Sequence, residues 1–406
     1  MKILLIDAVC GVGSTGRICA TIAQLLHQRG DQAMVAYGRD QASAQCQAYA
    51  VRIGSRLGVY AHALRARLTD GTGYGSRLAT RRFLRWVDRY DPDLIHLHDL
   101  HSYSVNIPML FRYLKKRNKP VVWTFHDCWA YTGHCAHYDY NNCQKWQTGC
   151  SHCPHISEYP KSLLDRSRHN YRLKKELFTA LQKLHITVPS QWLAQETQKS
   201  FMGDFPIHVF PSGIDLQKFR ANQAITKRQL GIEGKFLILA VASQFGEMKG
   251  IRDILALAQQ LPRETYAIML VGALEPGTRL PEHILHIPKT DDVTQLCSYY
   301  TLADLFINPT YQETQGLTTL EALACGTPAL VYASGGTAEC LTDRCGISVP
   351  RGDLAAFRQA IEQVQSGELA FAPADCLAAA QRYDHQALFG PILNLYDELC
   401  DYERKA

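Results

Sequence analysis

Short apolar runs alternate with amphipathic stretches along almost the whole chain. Lys2 to Val9, Gln32 to Tyr37, Asp93 to His98, Pro120 to Phe125 and Ile186 to Ser190 read as buried strands, with helical stretches such as Arg17 to Arg29 between them. The second half repeats the pattern. Phe236 to Ala242, Ala267 to Gly272 and the run LADLFINPT, which stops at Asn308 and Pro309, are strands, and Gly346 to Asp353 ends the series. Tyr159 to Lys183 reads as one long basic helix, and Leu377 to Tyr402 as largely helical. Strand and helix in alternation predict an α/β protein built on doubly wound sheets.

A chain of 406 residues, 46% apolar and 20% charged, suits two folded domains of about 200 residues each. No run approaches the roughly 20 apolar residues of a membrane span, and MKILLIDAVC reads as a first strand rather than a signal peptide. Fourteen cysteines in such a chain are expected as reduced thiols or metal ligands. The net charge of +5 is unevenly spread: Arg56 to Arg89 carries Arg56, Arg65, Arg67, Arg77, Arg81, Arg82, Arg85 and Arg89 against Asp70 and Asp88, interleaved with leucines and aromatics. Such a stretch fits an anionic bilayer surface or a lipid-linked diphosphate, and equally a solvated helix face. No nucleic-acid motif accompanies it.

The most informative stretch is NPTYQETQGLTTLEALACGTPALVY, Asn308 to Tyr332. Glu313 falls on the loop past a carboxyl strand end, where open α/β sheets bind ligands. A helix beginning near Gly316 leaves the N–H groups of Gly316, Leu317 and Thr318 free for a phosphate. Glu321 lies roughly 7 Å further along the axis at about 1.5 Å per residue. Two carboxylates thus flank an anion site, one placed for a sugar and one for a ribose.

Other candidates lie earlier. Gly11-Val-Gly13-Ser14-Thr15-Gly16 is a glycine loop between strand and helix; a dinucleotide reading lacks a convincing acid after the second strand. His126 and Asp127 end the strand Pro120 to Phe125, placing His126 to bond a substrate hydroxyl. His96 and His98 share a strand face, as a metal pair or as structural histidines. Cys135, Cys143, Cys150 and Cys153 lie in a loop of about 30 residues with too little apolar content to order itself; a structural zinc held by four thiolates would order it, with disulfides or free thiols as the alternatives.

Glu313, seven residues, Glu321 and then Ala-Leu-Ala-Cys-Gly-Thr-Pro resemble the E-x7-E signature of retaining glycosyltransferases of family 4, in particular those that build bacterial capsule, colanic-acid and O-antigen polysaccharides. The resemblance extends over HDCW, TGHC and the following cysteines. It implies the GT-B fold, two Rossmann-like domains facing an interdomain cleft. Residues 1–190 would bind the acceptor and carry the insertion 128–155, residues 206–383 would bind the nucleotide sugar, and residues 384–406 would form a helix crossing back to the first domain.

For the site, the resemblance implies His126, Glu313 and Lys249 as catalytic residues. Gly13, Ser14, Gly16, Ser243, Gln244, Lys249, Gln315, Gly316, Leu317, Thr318 and Glu321 would surround the donor. Three departures stand out: Ser243 and Gln244 are neutral where one basic residue of the diphosphate clamp is usual, Gln315 replaces an apolar residue, and Ser212 replaces the usual Asn of I-P-N-G-I-D. The loop His286 to Asp292 is where a base stacks in such enzymes, and Gly335-Gly336 would let backbone approach the nucleotide.

The implied activity is retaining transfer of a sugar from a UDP- or GDP-linked donor to a saccharide, lipid-linked through a polyprenyl diphosphate, with no catalytic metal. It would take place in surface polysaccharide biosynthesis on the cytoplasmic face of the bacterial membrane, where the protein is peripheral. A GT-B epimerase, a hydrolase and a non-catalytic zinc scaffold at the membrane are the competing classes.

Overall fold

Internal contacts divide the computed structural model, which describes residues 1–405, into two units: Met1–Phe210 with the C-terminal segment from Phe389, and Pro211–Leu388. Unit 1 holds β1 (Lys2–Ile6), β2 (Gln32–Tyr37), β3 (Ala50–Arg52), β4 (Leu94–Leu97), β5 (Val121–Thr124), β6 (Leu184–Val188) and β7 (Ile207–Val209). They form one parallel sheet in the order β3-β2-β1-β4-β5-β6-β7. Both faces of its centre are covered, which is why β1 reads as an apolar run after Lys2 and β4 is buried along its whole length.

On one face the helix Gly13–Gln28 packs Cys19, Ile22 and Leu26 against Ile3 and Leu5. The C-terminal helix Gly390–Lys405 adds Ile392, Leu395 and Tyr396 to the same core.

Unit 2 repeats the plan with β8 (Phe236–Phe245), β9 (Tyr266–Leu274), β10 (Ile284–Ile287), β11 (Leu305–Asn308), β12 (Ala329–Ala333) and β13 (Gly346–Pro350). The parallel order is β10-β9-β8-β11-β12-β13. In each sheet the winding reverses once, between β1 and β4 and between β8 and β11. Connections leave in opposite directions there, so the strand ends open a crevice. No helix of the described residues is long and apolar enough to cross a membrane.

Several expectations need correction. The long helix Tyr159 to Lys183 is only Ser167–Phe178. The residues before it spend their backbone elsewhere: Leu163 N–H donates to Arg67 C=O at 2.8 Å, and Asp165 accepts the Ser167 N–H at 2.8 Å where the helix begins. Leu377 to Tyr402 is largely helical as expected, with a break near Tyr383 where Ile214 pairs with Tyr383 and His385 in place of the next helical turn.

The basic stretch is two helices, Arg56–Thr69 and Arg77–Tyr90. Asp70 ends the first in a left-handed conformation and is itself buried. Its carboxylate binds His134 Nδ1 at 2.5 Å and the Arg166 N–H at 2.9 Å, while its N–H donates to Ser162 Oγ at 2.8 Å.

The expected four-thiolate grouping is not drawn together in the Cys-rich insertion. Among the described residues no three of Cys135, Cys143, Cys150 and Cys153 bring their sulfurs within 4.8 Å of one another. Cys135 instead hydrogen-bonds Cys153, Cys150 accepts the Gly133 N–H at 3.1 Å, and no disulfide joins the cysteines. The loop is stapled by aromatic rings: Tyr131, Tyr138 and Trp146 are all buried, with Trp146 centred 5.2 Å from Tyr131 and 4.8 Å from Tyr138. The expectation of too little apolar content is thus corrected: three buried aromatics supply the area. Lys174 is locked beneath, its Nζ 3.4 Å from the Trp129 ring centre and donating to the carbonyls of Trp129 and Thr132.

Candidate active site

At the switch point of unit 2 the β8 loop and the β11 loop are pressed together. Gly250 has φ +70°, and a Cβ there would lie 2.1 Å from Pro309 C=O, so only glycine fits. This contact, with the Tyr311 N–H donating to Met248 C=O at 2.8 Å, brings the Lys249 ammonium onto the Glu313 carboxylate as an ion pair. Both side chains stay about one quarter exposed, available to a ligand.

The Glu313 backbone is gripped from the other side. Gly336 N–H donates to Glu313 C=O at 2.9 Å, and a Cβ on Gly335 would lie 1.9 Å from that oxygen. Gly335 therefore makes room for the Glu313 backbone, and the Gly336 N–H holds it in place.

Gly316 has φ +82° and opens the helix Leu317–Ala324, whose first bond runs from Thr319 N–H to Gly316 C=O. The amides of Leu317 and Thr318 precede that bond and face out of the positive helix end. Glu321 accepts the Tyr300 phenol at 2.9 Å. Burial, and then the Glu321 carboxylate, hold that phenol well above its usual range, so Tyr300 remains a donor that orients the acid.

Gln315 is not a donor contact through its side chain. It is buried, its Oε1 accepting the Ser212 N–H at 2.8 Å and its Nε2 donating to Ser212 C=O at 3.0 Å. Two departures from the usual motif thus meet each other. Ser243 and Gln244 are exposed at the end of β8. His286 is the third residue of β10, bonded to Gly272 C=O, so the loop starts at Pro288.

The carboxyl edge of unit 1 gathers more titratable groups than expected. His126, half-buried after β5, gives Nε2 to His98 Nδ1 at 3.0 Å, which leaves Nδ1 for a ligand. Burial outweighs the nearby Asp99 and Asp127 and keeps His126 below its ordinary pKa, hence neutral at pH 7. His96 is structural: Nδ1 meets the Tyr396 phenol at 2.5 Å and Nε2 meets Thr124 Oγ1 at 2.7 Å, which removes the metal-pair reading. Gly13 and Ser14 are exposed at the helix start. Gly16 is buried, a Cβ there lying 2.8 Å from Val9 Cγ2, so its role is packing.

Three residues, Asp7, Asp99 and His101, were passed over, and Asp127 was named only as the neighbour of His126. Asp7 ends the β1 run, Asp99 and His101 follow β4, and Asp127 follows β5, so the strand order brings them together. His101 bridges Asp99 at 2.5 Å and Asp127 at 3.2 Å and lies over Trp129. With both ring nitrogens aimed at carboxylates, the group reads as a clamped imidazolium. Asp7, Oδ2 buried without a partner, is pushed up to about 7 by burial and then by Asp99.

Burial alone would lower the His101 pKa, but Asp99 and Asp127 hold it well above 6.5. A histidine raised in the folded state adds stability that is complete below its unfolded value and fades as pH rises through the folded one. His101→Gln should therefore cost on the order of 1–3 kcal/mol at pH 6 and progressively less as pH rises above 6.5. Denaturant melts across that range check this; a cost independent of pH would refute the clamp.

Residues 15–218 match the model for Glycosyltransferase Family 4, and residues 222–381 that for Glycosyl transferases group 1. An Escherichia coli (strain K12) protein described as "Putative colanic acid biosynthesis glycosyl transferase WcaC" is 28% identical over 273 residues, 64% of this chain and 64% of that protein. The chain thus spans less than two thirds of that relative's length. Among solved structures, sucrose-phosphate synthase from Thermosynechococcus elongatus aligns over 98% of this chain and 99% of its own, with TM-score 0.71 and 17% identity. Anabaena Alr3699/HepE in complex with UDP aligns over 98% and 100%, with TM-score 0.65 and 16% identity. The likeness of these structures covers both parallel sheets, the GT-B architecture, and with half of its length matched by the first family model this chain belongs to Glycosyltransferase Family 4.

Proposed function

We propose that this chain is a retaining glycosyltransferase that moves a sugar from a nucleotide diphosphate to a lipid-linked saccharide during surface polysaccharide assembly. The observation that carries the reading is the pairing of Lys249 with Glu313 beside the free amides of Leu317 and Thr318. An ammonium and a helix N-terminus converge where a diphosphate would gain negative charge, and a carboxylate stands ready for sugar hydroxyls. The UDP in the HepE structure and the colanic-acid description of WcaC favour a nucleotide-sugar donor and a polysaccharide product.

Retention follows attack from the leaving-group side. The acceptor oxygen bonds the anomeric carbon as the bond from that carbon to the phosphate oxygen breaks, and the acceptor proton passes to the departing phosphate. The nucleoside diphosphate leaves with both electrons of the broken bond. Lys249 and the two amides stabilise it; Glu313 orients the sugar, and Glu321, held by Tyr300, takes the ribose hydroxyls. On unit 1, neutral His126 offers Nδ1 to a saccharide hydroxyl. The arginines of 56–89 would hold the protein against the anionic cytoplasmic face of the membrane.

A binding panel of UDP-, GDP- and dTDP-sugars, followed by nucleotide release with and without saccharide acceptors, tests the proposal. Release that requires an acceptor is expected. Release without one points to a hydrolase, and failure to bind any nucleotide sugar removes the transferase reading altogether.

A further inference from the structure

A cavity of about 880 Å³ in unit 1 lies between the helices Arg56–Thr69 and Arg77–Tyr90. Its size is that of a small-molecule site. Val59, Ala61, Ala79, Phe83 and Trp86 supply apolar wall. Arg65, Arg77 and Arg82 stand on its rim, and none of them has an acidic partner within 4 Å among the described residues. Ser104, which also lines the groove, packs against Gly38 just past the carboxyl end of β2.

The floor is fixed. His62, buried and pushed down to about 4 by burial, is a neutral ring whose Nε2 accepts the Gly75 N–H at 2.9 Å and whose Nδ1 bonds Ser76 Oγ at 3.0 Å. Beside the groove the first helix shows water an apolar stripe: Leu57 is 81% exposed, with Tyr60, Leu64 and Leu68 following at helical spacing. A water-facing leucine stripe, an apolar slot and uncompensated guanidinium groups together describe a receptor for an amphiphile with an anionic head.

We propose that this groove is the lipid subsite of the acceptor, enclosing part of an isoprenoid chain while the rim arginines hold its diphosphate. The inference rests on the lipid-linked acceptor in the proposed function. Planar guanidinium forks match phosphate oxygens in pairs, and the slot shields hydrocarbon that would otherwise face water. The exposed leucine stripe outside the slot has a separate task, contact with the bilayer from which the acceptor is drawn.

Farnesyl diphosphate, used below its micellar concentration on the full chain, is the probe. It should bind saturably, one per chain, at least tenfold more tightly than inorganic pyrophosphate. Ala61→Trp fills the slot and should weaken farnesyl diphosphate tenfold or more. Gly58→Leu is a second filler, since a Cβ there meets only Ser55 Oγ at 3.4 Å. Leu57→Ser with Leu68→Ser should leave farnesyl diphosphate binding within threefold while reducing co-sedimentation with phosphatidylglycerol vesicles.

The inference is overturned if pyrophosphate binds as well as farnesyl diphosphate, or if the fillers weaken vesicle binding alone. It is equally overturned if Leu57→Ser dissolves a dimer seen by light scattering, which would make the stripe a contact between copies. UDP binding, measured on every variant, keeps the two proposals apart: a chain that binds farnesyl diphosphate but no nucleotide upholds the groove and sinks the transferase.

Discussion

Replacing Glu313 with alanine should lower sugar transfer by about 10²- to 10³-fold, the scale of removing one preorganised polar group from a transition-state site. The fold should scarcely notice. The loop is held by the Glu313 carbonyl, which takes the Gly336 N–H, and that bond survives the substitution. The lost ion pair with Lys249 is partly exposed, and such pairs contribute about 0–1 kcal/mol. Melting temperature and transfer rate should therefore separate cleanly. A variant that retains transfer within a few fold of the wild type would show that Glu313 does not touch the donor.

Gly250→Ala should fail for the opposite reason. Alanine in the left-handed region costs about 1–2 kcal/mol, and its Cβ would sit 2.1 Å from Pro309 C=O, forcing the two loops apart. Separation breaks the bonds from Tyr311 N–H and Thr310 Oγ1 to Met248 C=O, and it pulls Lys249 away from Glu313. A loss of roughly 3 kcal/mol or more follows, or about 10 °C in Tm for a unit of this size, together with loss of transfer. Gly367→Ala is the control. It shares the left-handed backbone, φ +80°, but meets nothing within 4 Å, so it should cost only about 1 kcal/mol. Equal melting of the two variants would remove the claim that loop contact, rather than backbone conformation, places the ammonium.

Local signals carried much of the architecture. The apolar runs from Lys2 and from Phe236 are β1 and β8, and the Gly316 start of a helix could be read from the residues around it, because strand apolarity and helix punctuation are properties of neighbours in sequence. What escaped depended on partners far along the chain. Nothing near Gln315 announces Ser212, 103 positions away. The Cys-rich loop invited a metal because thiols are conspicuous, whereas its order comes from rings that composition alone does not arrange. Tyr159 to Phe178 carries helix-compatible residues throughout, yet its first turns are recruited by Arg67 and Asp70. His101 between two aspartates could have been found by laying the ends of β1, β4 and β5 side by side, once the strand order was known.

Asp70 gives the insertion a meaning beyond its own stability. One carboxylate receives His134 from the insertion and the Arg166 amide from the segment after it, and the same residue terminates the first arginine-rich helix. Insertion and helix are thus mechanically one block, like an arch and its abutment. Trimming the insertion to make a smaller enzyme would slacken a surface it never visits, and grafting the arginine helix onto another scaffold would call for the abutment to travel with it.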